Sequence, residues 1–131
     1  MPHFTALVTL FAVLLYVLFG VQVGHARAKS GVKAPAMVGD PEFERAVRIQ
    51  ANTLEWLPVF LPALWLAAIY VNDAGAAALG LVWIAGRALY ARGYAEAAEK
   101  RERGFTIQAI AATLLWVMAL IGVLRAMILG H

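Results

Sequence analysis

The chain has 131 residues and no cysteine; 63% of it is hydrophobic, 15% is charged, and the formal net charge is +3. Soluble domains are about 45–50% apolar and about 25% charged, so a soluble globular fold and a disordered chain are both excluded, as are disulfides and thiolate ligands. Apolar runs of about 20 residues span a bilayer, and there is room for four. This predicts an all-α, integral membrane four-helix bundle forming a single domain over residues 1–131.

The first predicted span, 4–23 (FTALVTLFAVLLYVLFGVQV), carries no charge. The tripeptide Ala26-Arg27-Ala28 behind it has the form of a leader cleavage site, but no positive residue precedes the run and it is long for a leader. It is therefore read as a span. The second, 49–71, carries one acid, Glu55, and two prolines, Pro58 and Pro62, that predict a bend. The third, 74–94, contains Arg87, and the fourth, 105–129, contains Arg125.

The connections differ in kind. Residues 24–48 are rich in Gly, Pro and charge and read as a true loop. VNDAG between spans two and three reads as a tight turn. ARGYAEAAEKRERG lacks proline and is made of good helix formers, which predicts that helix three runs on past the membrane and stops near Gly104. Of the eleven Lys and Arg, ten lie around the first and third loops, so the positive-inside rule puts both loops in the cytoplasm and both termini on the opposite side. The short tails and compact loops suggest a bacterial chain.

Ionisable groups inside a span are costly and mark function. At 100° per residue, Glu44, Arg48, Asn52 and Glu55 fall within about 80° of arc on helix two, and Gln50 points nearly opposite. This stripe is either a structural network, with Arg48 paired to Glu44 and Glu55, or part of a binding site. A second stripe, Arg87, Tyr90, Tyr94 and Arg101, falls within about 60° if helix three continues. It is either an interfacial anchor or the other wall of a pocket. The alternating charges of EAAEKRER read as a solvated face.

Such a pocket suits a small zwitterionic peptide. Arginines bind carboxylates through paired hydrogen bonds, Glu55 suits an ammonium, and Asn52 and Gln50 suit peptide amides. His3, His25 and His131 are scattered, so no metal site is expected. Ser30 has no evident His partner for a nucleophilic triad. Basic residues matched by neighbouring acids, without an aromatic platform, argue against nucleic-acid binding.

The run E-R-x-x-R-x-x-x-N-x-x-E, from Glu44 to Glu55, resembles the signature of the membrane-associated proteins in eicosanoid and glutathione metabolism (MAPEG). The resemblance covers nearly the whole chain, with PEFERAVRIQANTLEWLPVFLPALW similar to the family's second helix and RALYARGYAEAAEKR to its third-helix terminus. It implies a homotrimer that binds glutathione between neighbouring subunits near the cytoplasmic face. Arg48, Asn52, Glu55, Tyr90 and Tyr94 match glutathione-contacting positions of one subunit, and Arg27 and Gln50 match positions supplied by the neighbour. Arg101 matches the arginine that stabilises the thiolate.

The implied activity is that of a microsomal-type glutathione transferase acting on lipophilic electrophiles, with possible reduction of lipid hydroperoxides, in a bacterial inner membrane or the endoplasmic reticulum. Trp56 stands where leukotriene-forming members have a tyrosine, and Ala28 where they have a second arginine, which argues against leukotriene synthesis. Two other readings remain open. One is a non-enzymatic lipid-binding scaffold, similar to the family's lipoxygenase-activating member. The other is a small exporter coupled through Glu55.

Overall fold

The computed structural model describes residues 1–130; His131, one of the three histidines set aside above, lies outside them. The described chain is four helices, α1 (His3–Ser30), α2 (Pro41–Tyr70), α3 (Asp73–Glu96) and α4 (Glu102–Leu129), with a 3-10 turn at Ala98–Arg101. Each has 24 to 30 residues. At about 1.5 Å per residue, each exceeds the roughly 30 Å hydrocarbon core of a bilayer. All four are apolar enough to cross it.

All four helices reach beyond their predicted spans, α1 and α2 furthest. α1 continues through the helix-forming run around Arg27 and Lys29 and stops at Gly31, whose φ of 77° is left-handed. α2 starts at Pro41, behind an Asp40 carboxylate that accepts from the Phe43 N–H at 3.0 Å. The first loop is therefore only residues 31–40, not 24–48. Hydropathy marks where lipid must be met, whereas caps mark where the helix ends. α2 is one continuous helix through Pro58 and Pro62.

At the opposite end the α2–α3 turn is tight, as its composition predicts. The Asn72 side chain caps α3 by accepting from Gly75 N–H at 2.6 Å. Its neighbour Asp73 reaches across to α1, accepting from the N–H groups of Phe4 at 3.1 Å and Thr5 at 2.9 Å. These are donors that the first turn of a helix cannot satisfy itself.

The expected extension of helix three to Gly104 does not form. α3 ends at Glu96, Ala97 is extended (φ −162°, ψ 143°), and the 3-10 turn reverses the chain into α4. Packing decides this against propensity. A straight extension would carry Gly104 about 12 Å beyond Glu96. Instead Gly104 lies directly against the Tyr90 backbone, and Gly93 against the Lys100 carbonyl, each too close to admit a Cβ. Arg101 consequently sits on the reversing turn and not on a stripe of α3.

Small residues dominate the helix contacts, as is usual where lipid supplies no hydrophobic drive between helices. Ala12, Ala63, Ala67, Ala76, Ala111 and Ala119 are buried, and Phe60 stacks on Trp83 with ring centroids 3.9 Å apart. The outer surface is the reverse: Leu10, Leu14, Ile121 and Ile128 are all exposed. Such a surface requires an apolar solvent.

Candidate functional site

α2 and α3 are tied together through one buried cation. Arg87 of α3 has no solvent exposure. Its terminal nitrogens donate to Asn52 Oδ1 at 2.9 Å and Thr53 Oγ1 at 2.7 Å. The Thr53 hydroxyl spends its own proton on the Ile49 carbonyl at 2.8 Å, leaving a lone pair for Arg87. The guanidinium carbon lies 4.2 Å from the centroid of the Tyr90 ring, within cation–π range.

From Arg87 an aromatic path leads to the reversing turn. The Tyr90 and Tyr94 rings are 5.6 Å apart, and the Arg101 guanidinium stands 5.2 Å over Tyr94. Arg101 is exposed and is steadied by donating to the Ala98 carbonyl at 2.7 Å. The structure thus brings Asn52, Tyr90, Tyr94 and Arg101 into one strip. The two stripes read from the sequence meet at Arg87, and Arg101 joins them by way of the turn.

Arg48 and Glu55, on the same side of α2 as Asn52, are exposed. Among the described residues neither makes an ion pair or a side-chain hydrogen bond; the ion pairs there are Lys29–Glu42 and Lys100–Glu96, both at the surface. Glu44 instead accepts from the Gly39 N–H at 3.0 Å. The structural network of Arg48 with Glu44 and Glu55 is therefore not formed within the chain. EAAEKRER behaves as a solvated face, with Glu96, Glu99 and Glu102 exposed.

Two candidates lie apart from the strip. Gln50 packs its amide against Gly20 of α1. Arg27 is engaged in its own loop, donating to the carbonyl of Ala36 at 2.9 Å and standing 4.7 Å over the Phe43 ring. A cavity of about 300 Å³ where α1 and α2 meet Ala95 of α3, with His25, Lys29, Glu42 and Ile49 in its lining, is separate from the strip residues. Among the described residues no three His, Asp or Glu side chains cluster.

An apolar groove of about 330 Å³ runs along α4 beside the strip, lined by Phe105, Ala109, Ile110, Thr113 and Leu114. Phe105 connects the two, with its ring 6.1 Å from Tyr90 and edge-on to Trp56 at 5.7 Å. The arrangement offers cationic and amide donors at the polar end of the bundle, next to a wall that accepts apolar molecules.

Sequence reasoning missed Thr53 and Gln108. Thr53 gives little signal, because a hydroxyl in an apolar helix ordinarily bonds back to its own backbone. Gln108 is a clearer omission: a fully buried amide in the run GFTIQAIAATL is costly without a hydrogen-bond partner, and neither of its polar side-chain atoms has one among the described residues.

Comparison with known proteins gives consistent matches over most of the chain. The sequence model of the MAPEG family matches residues 5–121. An uncharacterized protein of Synechocystis is 51% identical over 119 residues, 91% of this chain and 87% of that protein. Human microsomal glutathione S-transferase 2 is 47% identical over 80% of this chain and 71% of its own length. Bovine leukotriene C4 synthase is 41% identical over 96% and 89%. The chain belongs to the MAPEG family, and with its four membrane-length helices it is an integral, multi-pass helical membrane protein.

Proposed function

We propose that this protein is a membrane-bound glutathione transferase, which ionises the glutathione thiol and transfers the thiolate to lipophilic electrophiles drawn from the bilayer. The observation that carries the reading is the strip from Asn52 through Tyr90 and Tyr94 to Arg101, flanked by the unpaired Arg48 and Glu55. Charged groups left without partners beside this strip complement a charged ligand. A peptide with two carboxylates and one ammonium complements two arginines and an acid. The relatives named for glutathione transfer and leukotriene C4 synthesis support the same class of chemistry.

In this reading the functional unit is a homotrimer, and the peptide lies between subunits. Arg27 and Gln50, which lie apart from the strip of their own chain, meet the ligand held by a neighbour's strip. Arg48 holds a carboxylate, Glu55 the ammonium, and the tyrosines orient the peptide. A free thiol has a pKa near 8.5. Arg101, cationic and exposed beside Tyr94, stabilises the thiolate without accepting a proton, and the thiol proton leaves to solvent water at this exposed end. The electrophile approaches along the α4 groove behind Phe105. Sulfur attacks its electrophilic carbon, a C–S bond forms, and the leaving group departs with the bonding pair. With a lipid hydroperoxide, two glutathione molecules would instead yield the disulfide, the alcohol and water.

The test is conjugation of glutathione to a chloroaryl electrophile by the full-length protein in proteoliposomes. Saturable formation of the aryl thioether with release of chloride is expected. Bound glutathione with no conjugation or peroxide reduction across a panel of electrophiles and hydroperoxides would leave a non-catalytic lipid-binding scaffold.

A further inference from the structure

Arg87 lies beneath the candidate surface and is unassigned by the reading above. It is fully buried, whereas Asn52 is half-buried and borders the exposed Arg48 and Glu55. Among the described residues no carboxylate pairs with it. A guanidinium has N–H donors and no acceptor. The Asn52 atom it meets at 2.9 Å is therefore the amide oxygen on chemical grounds. Its bond to Thr53 at 2.7 Å and its seat over Tyr90 fix the guanidinium, whose Nε already lacks a partner among the described residues, so flipping Asn52 would strand a further buried donor. What Asn52 has left for a ligand is its pair of Nδ2 protons.

We propose that Arg87 is a positioning residue that holds Asn52 as a donor-only group, so that the site seats an acceptor oxygen of the peptide at Asn52 and excludes the ammonium from that position. The inference rests on the glutathione reading above. Its electrostatic logic is direct. A charged donor on the amide oxygen polarises the amide and strengthens the Nδ2–H groups as donors, the more so in a low-dielectric interior. The ammonium is then directed to Glu55, an acceptor-only carboxylate about one turn along α2. One buried cation thereby sets the direction in which a zwitterionic peptide lies.

A double-mutant cycle on the full-length protein tests this, reading KM for glutathione, kcat and thermal midpoint for Asn52→Ala, Arg87→Met and the pair. Each single change is expected to raise KM about tenfold, the order for losing one hydrogen bond to a charged group, with kcat within about twofold. The double variant should be no worse in KM than Asn52→Ala alone, because Arg87 acts through Asn52. Additive effects on KM, or an Arg87→Met effect confined to the thermal midpoint, would overturn the proposal.

If Arg87→Met does not fold, Asn52→Asp serves. It is isosteric and keeps the Arg87 contact, but it presents an acceptor outward, so KM should rise at least about tenfold. Saturable wild-type kinetics with an unchanged KM in Asn52→Asp sinks this inference alone. A wild-type protein showing no saturable dependence on glutathione sinks the functional reading with it.

Discussion

Arg48 and Glu55 are exposed on α2 beside apolar chain neighbours, and among the described residues they have no counter-charge. No structural ion pair holds either residue among the described residues. Arg48→Ala should therefore leave the thermal midpoint nearly unchanged while raising KM for glutathione about tenfold or more. A fall in stability with normal affinity would make the stripe structural. Arg101 should divide the other way, because it acts on the charge that develops on sulfur. Arg101→Ala should lower kcat about a hundredfold and change KM less than about threefold; equal losses in both would contradict the assignment. The face shared by Arg48, Asn52 and Glu55 was legible from helical arithmetic alone. Thr53 was not: nothing local says that its second lone pair serves an arginine 34 positions away.

At the scale of elements, the four spans were legible because lipid demands long apolar runs, and their existence does not depend on packing detail. Their ends were less so. Asp40 and Pro41 carried a cap signal, but the polar composition around them read as loop. The end of α3 was misread for a different reason. Residues 95–103 favour a helix by propensity, and what stops it is the close return of α4, a long-range event. Gly93 and Gly104 are the visible trace of that return. Gly104→Val should drive a side chain into the Tyr90 backbone and cost about 1–3 kcal/mol or more, measured as thermal unfolding in detergent. An unchanged midpoint would mean that α3 and α4 do not approach as closely as described. Because Tyr90 lies within the strip, the same variant should also lose glutathione turnover.

For the whole molecule, both connections flanked by basic residues lie at one end of the bundle, where Arg45 of α2 donates to the Ala95 carbonyl of α3 at 3.3 Å. The candidate strip opens at that end, which we propose, from the positive-inside rule, faces the cytoplasm. A single chain presents the strip on one surface and Arg27 with Gln50 on another, so assembly is what would complete the site. Native mass spectrometry of the detergent-solubilised protein should find three chains per particle; a monomer that still turns over glutathione would contradict a site shared between subunits.

Thiolate formation in the absence of any electrophile tests glutathione activation most directly. Glutathione titrated into the solubilised protein at neutral pH should produce a saturable ultraviolet thiolate absorbance, and Arg101→Ala should diminish that absorbance while glutathione still binds. Saturable binding without thiolate, or no binding at all, would contradict the claim that this membrane bundle activates glutathione.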